Sequence, residues 1–173
     1  MKLSTRARYG LQCMIAVSRL AAEARPVSLE EVARHTGLSK RYLEQLVIPL
    51  RHAHLLRSSS GRAGGYFLAR AESQIRLGEI VEAMIGPINI VDCVCEPEHC
   101  FKADRCETRL IYLLINRSIT SVLNEHSLAD LSDRERLSEI VETLRGEIDG
   151  HPGVNLIASD DLCGCSVGRT SGE

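Results

Sequence analysis

The sequence predicts a mainly α-helical protein with one small β-hairpin, on three observations. Aromatic residues are scarce and Trp is absent, so the core must be Leu, Ile, Val and Ala, which favours helices. Apolar residues recur at helical spacing through most of the chain, most densely in ETRLIYLLINRSITSVLNEHS, the longest expected helix, roughly 107–126. Two short apolar runs, LLRSSS and YFLA, flank the basic, glycine-rich GRAGG and read as a single hairpin. At 173 residues, one domain or one domain with an extension is expected.

The elements follow in order. Residues 4–23 read as a helix whose apolar stripe is Leu11, Met14, Ile15 and Val17, with Arg6, Arg8 and Arg19 toward water and Cys13 in the core. Ser28-Leu-Glu-Glu31 is a capping-box pattern that opens a short helix through Val32 and His35. Thr36-Gly37-Leu38 is a tight turn, with Gly37 free to take positive φ. Ser39 then caps KRYLEQLVIPLRHAHLL, a helix expected to continue to Leu56 with a kink, not a terminus, near 45–49 because Pro49 removes a backbone donor. Two short helices across a glycine turn make a helix-turn-helix, and a hairpin straight after it is a wing. GRAGG lacks the Gly-Lys-Ser/Thr ending of a phosphate loop. IRLGEIVEAMIG is a brief amphipathic helix closed by Gly86 and Pro87.

The long helix carries Leu110, Ile111, Leu113, Leu114, Ile115, Ile119, Val122 and Leu123 over more than one face. It needs partners on two sides, its own domain and the same helix of a second subunit in a homodimer. Ser132-Asp-Arg-Glu135 reads as the capping box of a last helix striped with Leu137, Ile140, Val141, Leu144 and Ile148. Beyond Gly150 the chain turns Gly-, Ser- and Asp-rich and is expected to be disordered.

Four of the seven cysteines, Cys93, Cys95, Cys100 and Cys106, lie in DCVCEPEHCFKADRC. Pro97, the charges and the missing periodicity make this a loop, where thiols hold a soft metal or iron–sulfur cluster, or form disulfides. No apolar run spans a membrane. The start, MKLSTRARYGLQCMIAV, imitates a secretion signal only faintly, since Gln12 interrupts a short apolar stretch that Ser18 and Arg19 follow. A cytoplasmic location is therefore expected, and there disulfides rarely persist. A structural zinc site is disfavoured, because Cys93-x-Cys95 is tighter, and Cys100 and Cys106 wider, than the usual paired ligands.

Charge divides unevenly. Residues 1–78 carry 13 Lys/Arg against 5 Asp/Glu, whereas residues 79–173 carry 8 against 18. A basic half joined to an acidic half suggests that the first meets a polyanion. The six histidines, His35, His52, His54, His99, His126 and His151, form no ligand spacing with acids, and no Ser/His/Asp order is legible, so an enzyme is not expected.

MKLSTRARYG, SKRYLEQL, GRAGGY and a cysteine loop before a long helix occur in the order of the IscR/NsrR/CymR family of bacterial winged-helix transcription regulators, which residues 1–130 resemble. The resemblance implies a dimer that binds palindromic double-stranded DNA, often reading a bound iron–sulfur cluster. It implies three loop cysteines as ligands, with Cys93 as the first, Cys100 and Cys106 as the others, and Cys95 as an extra. The IscR-type pattern has a ligating histidine where this chain has Arg109, and the NsrR-type pattern has a carboxylate where it has Arg8. The fourth ligand is then Cys95, or Cys163 or Cys165 of the tail, with His99 a minor candidate, and both 2Fe–2S and 4Fe–4S clusters stay open. Glu44 resembles a family position that tunes site preference.

The expected DNA contacts are Arg6, Arg8, Ser28, Ser39, Lys40, Arg41, Tyr42, Glu44, Gln45, Arg62, Gly64 and Gly65. Lys40 and Arg41 suit phosphate or guanine, Gln45 adenine, and Glu44 cytosine. Arg62 suits a narrow minor groove, with Gly61, Gly64 and Gly65 letting backbone approach the sugar–phosphate edge. Arg6 and Arg8 suit phosphates. The expected division is 1–85 DNA-binding, 86–107 cluster loop, 108–130 dimerisation helix, 131–150 C-terminal helix and 151–173 tail. Two alternatives remain, a metal-free regulator of the same fold answering to a metabolite or partner protein, and a redox or cluster carrier.

Overall fold

A computed structural model describes residues 4–21, 25–61 and 64–148 of the chain. The expected wing-tip residue Arg62, the tail and its Cys163 and Cys165 lie outside the described residues. The molecule is mainly helical with one two-stranded antiparallel sheet.

Helix α1, Thr5–Leu20, starts where the Ser4 hydroxyl accepts from the Ala7 amide. Its buried face is Ala7, Gly10, Cys13, Met14 and Val17, a stripe rotated from the expected one, so that Leu11 and Ile15 are only half-buried. The rotation follows from close packing: a Cβ on Gly10 would lie 2.5 Å from Met84 Cγ, so the smallest residues face the neighbouring helix α4 (Leu77–Ile85). Cys13 is fully buried, and burial pushes its thiol up to about 12, which makes it an inert core residue.

Helix α2, Leu29–Thr36, has the full capping box, the Glu31 amide donating to the Ser28 hydroxyl and the Ser28 amide to the Glu31 carboxylate. Gly37 closes it at φ 71°. Helix α3, Lys40–His52, is capped by Ser39 and buries Leu43, Leu46, Val47 and Leu50. It passes through Pro49 but ends at His52, four residues before the expected Leu56. The stop is a Schellman closure: the Leu55 amide donates to the Leu50 carbonyl, the His54 amide to the Arg51 carbonyl, and His54 takes φ 55°.

Strands β1, Leu56–Ser59, and β2, Gly65–Leu68, pair from Leu56↔Leu68 to Ser59↔Gly65. Val27 adds a bridge to Tyr66 through two backbone bonds of 2.9 and 2.8 Å, which anchors the wing to the segment before α2. The cysteine segment is less irregular than the expected loop. It contains the short helix α5, Asp92–Cys95, and single helical turns at Pro97–His99 and Ala103–Arg105.

Helix α6, Glu107–Glu125, is the longest and has no fully buried residue. Its end is extended rather than helical: the Leu77 amide donates to the His126 carbonyl and the Leu128 amide to the Ile75 carbonyl. Helix α7, Leu128–Ser132, returns to α1, where the Ser132 and Ser18 hydroxyls lie 2.7 Å apart and Arg19 donates to the Leu131 carbonyl. These contacts correct one expectation. Ser132 closes α7 and does not cap α8 (Arg134–Ile148); the Glu135 amide donates instead to the Asp133 carboxylate. The capping box belongs to Ser127 and Asp130. A single core runs from Ala7 to Leu128 across α1 to α4, β1 and α7.

Candidate nucleic-acid interface and cysteine loop

Four exposed residues of α3, Arg41, Glu44, Gln45 and Ile48, stand three or four positions apart and share one helix face. Ser39 and Lys40 are exposed at its first turn. Tyr42 is half-buried, its ring 5.7 Å edge-on from Tyr9 of α1. The Arg8 guanidinium lies 4.8 Å over the Tyr9 ring and donates to its hydroxyl, and Arg6 is exposed beside it. A cleft is lined by Arg6, Tyr42, Gln45 and Ile48, so α1 and α3 contribute to one surface.

Some expected contacts are engaged internally. Ser28 spends its hydroxyl and amide on the α2 cap. The Lys40 ammonium lies 2.6 Å from the Glu30 carboxylate, which raises its proton affinity, with Glu44 adding a smaller effect. Gly64 and Gly65 are places of close backbone approach: a Cβ would lie 2.5 Å from the Ser59 and Val27 carbonyl oxygens respectively. Ile48, half exposed at 51%, was missed as a candidate; its spacing from Arg41, Glu44 and Gln45 is the signal that reveals it.

In the cysteine loop, Cys93, Cys100 and Cys106 are half-buried and Cys95 is exposed, all four as free thiols. Cys106 is the residue before α6. The Thr108 hydroxyl 3.1 Å from its sulfur, then the Arg109 amide, hold its thiol below the usual range. Arg109 Nε also donates to the Cys93 carbonyl at 2.9 Å. His99 is engaged with Glu96. Among the described residues, no three Cys, His, Asp or Glu side chains stand together as a metal ion would require. The donor set fits an iron–sulfur cluster in kind and number, as neighbours along one segment and not as a finished cage.

The exposed side of α6 carries Leu110, 65% exposed, Leu114, 59%, and Ile111 and Val122. Among the described residues no helix is long and apolar enough to cross a membrane.

A family model described as "Rrf2: Iron-dependent Transcriptional regulator" matches residues 3–134. The HTH-type transcriptional regulator CymR of Bacillus subtilis is 39% identical over 132 residues, covering 76% of this chain and 90% of its own length. The HTH-type transcriptional regulator IscR of Sodalis glossinidius is 33% identical over 142 residues, covering 82% and 85%. Among solved structures, that of CymR (YrzC), titled the global cysteine regulator of B. subtilis, superposes with a TM-score of 0.66 at 36% identity, covering 76% of this chain and 96% of its own. That of T. potens IscR gives 0.63 at 34%, covering 83% and 90%.

Proposed function

The chain belongs to the Rrf2 family of transcriptional regulators and is not an enzyme, and on that premise we propose a homodimer that grips a palindromic operator and sets its affinity by an iron–sulfur cluster in the cysteine loop. One observation carries the reading. The last loop thiol, Cys106, adjoins the first turn of α6, the helix whose apolar face is uncovered. Whatever orders the loop therefore acts directly on the surface where a second subunit would sit.

On the DNA side, α3 enters the major groove and the two copies repeat about one helical turn, roughly 34 Å, apart. Arg41 and Lys40 take phosphate or guanine, Gln45 adenine and Glu44 the cytosine amino group, while Ile48 offers an apolar contact to a thymine methyl. Arg6 and Arg8 position the duplex through phosphates, and Ser39 and Tyr42 support the first turn of α3. The wing lies along the minor groove, with Gly64 and Gly65 shaping its turn against the Ser59 and Val27 carbonyls and Arg62 as the expected groove contact. Ser28 acts through its cap on α2.

On the sensor side, Cys93, Cys95, Cys100 and Cys106 supply the thiolates, and the low proton affinity of Cys106 favours the ligating form. A cluster would draw the four sulfurs together, and loop order gained by ligation shifts the equilibrium by its differential affinity for the two dimer arrangements. Residues 1–85, 86–107 and 108–130 would then divide the work of reading, sensing and pairing in the cytoplasm.

Anaerobic purification with absorbance and Mössbauer spectroscopy tests the cofactor; colourless, iron-free protein that resists reconstitution refutes it. Operator binding by the holo protein and by a variant with Cys100→Ser and Cys106→Ser tests the coupling, and identical affinity and footprint refute that. A second reading, a metal-free regulator answering to a metabolite or partner, is favoured by the ungathered thiols and by the relative titled a cysteine regulator. It predicts iron-free protein that still binds an operator. A cluster carrier would bind no operator, whereas a regulator loses operator affinity steeply with salt as counterions are released.

A further inference from the structure

We propose that Arg109 is the positioning residue of the cysteine loop, latching its first thiol residue, Cys93, to the helix turn that adjoins its last, Cys106. The Arg109 side chain donates through Nε to the Cys93 carbonyl across 2.9 Å and 16 residues of sequence. Its own amide donates to the Cys106 carbonyl at 3.1 Å. A single residue thus holds both ends of the segment that carries all four loop thiols.

The remaining loop contacts make this one decisive. Among the described residues, the other hydrogen bonds between Cys93 and Cys106 are local, such as Cys100 amide to Pro97 carbonyl, Ala103 amide to Cys100 carbonyl and His99 to Glu96, while ahead of the cysteines the Asn116 side chain of α6 donates to the Ile88 carbonyl at 3.0 Å. Local bonds shape turns but do not fix where one end lies relative to the other. Closing such a segment carries an entropic cost that an end-to-end contact must offset. A guanidinium on a carbonyl is charge-assisted and about twice as strong as a neutral bond. Arg109 is half-buried while Phe101, Lys102, Asp104 and Arg105 ahead of it in the loop are exposed, so the latch is the sheltered part of an open segment. With the ends held, gathering the sulfurs requires movement only of the middle of the loop.

The latch deepens the cluster reading but rests on it for one arm of the test alone. The first arm is limited tryptic cleavage of the full-length, metal-free protein, read by mass spectrometry after Lys102 and Arg105. Local cleavage follows the population of the open segment. Arg109→Ala should be cut at both sites about tenfold faster, and Arg109→Lys, which keeps a donor, should recover most of the protection. Cleavage after Arg34 and Arg51 should stay at the wild-type rate, which excludes general unfolding.

The second arm is anaerobic reconstitution with ferrous iron and sulfide, followed by the rate of iron loss to a chelator. Arg109→Ala should release iron faster than wild type, with Arg109→Lys between them. Unchanged cleavage in Arg109→Ala, or no recovery in Arg109→Lys, overturns the latch even if wild type binds iron. Faster cleavage with no iron taken up by any variant leaves the latch standing and removes the cluster.

Discussion

His54 sits in the left-handed backbone region, the only non-glycine among the described residues to do so, at the position where a Schellman closure favours glycine. A side chain there costs about 1–2 kcal/mol, offset here by burial of Leu50 and Leu55 on either side of the closure. His54→Gly should therefore stabilise the fold by about 1 kcal/mol and raise the melting temperature by about 2–4 °C in calorimetry. Glu30 shows a different economy. Its carboxylate holds the Lys40 ammonium at the very turn that should meet DNA. An exposed pair of this kind adds little stability, but it occupies a charge that a phosphate would take. Glu30→Gln should raise affinity for non-operator duplex and steepen the slope of log affinity against log salt by about 0.9 per protomer. An unchanged slope in a titration by fluorescence anisotropy would refute this.

Among elements, α2 shows what the sequence discloses and α7 what it hides. Ser28 and Glu31 read as a capping box and form one, and Gly37 and Ser39 act as their residue types require. Two Ser-x-x-acid patterns then compete near the last helices, Ser127 to Asp130 and Ser132 to Glu135. Local chemistry cannot separate them. The choice falls to Ser127 because Ser132 is drawn to Ser18, more than a hundred residues away in sequence, a contact with no local signal. The rotated stripe of α1 has the same origin, since Gly10 faces Met84 by packing and not by periodicity. The α2 cap also predicts a pH response. The Ser28 amide first, then its hydroxyl and Arg25, hold the Glu31 carboxyl down at about 2, against an ordinary 4.5. A depressed folded value contributes stability above the ordinary value and loses it as pH falls toward the folded one. Wild type should melt above Glu31→Gln near neutral pH, and the difference should shrink between about pH 5 and pH 2.

For the whole molecule, the reading of a helical regulator with a basic front half came from pattern and charge, and its expected family resemblance agrees with the family to which it belongs. The exposed stripe of α3 was legible apart from Ile48, an apolar residue at the same helical spacing that is 51% exposed. The arrangement of the four thiols was not legible, because spacing along a loop does not fix positions in space. The apolar side of α6 is exposed in a single chain. Leu114→Glu places a charge on it where exposure in the isolated chain makes the change tolerable, and charge at the centre of a paired interface is costly. The variant should sediment as a monomer in analytical ultracentrifugation, with operator affinity reduced at least tenfold.

The bond between Ile75 and Leu128, and its mate between Leu77 and His126, rivet the far end of α6 to the body that carries α3. Such a rivet stiffens the join between the head that carries α3 and the shaft formed by α6. In the proposed dimer, torque applied near Cys106 would turn head and shaft together, so a small twist where two shafts cross would become a larger change in the reach between two heads.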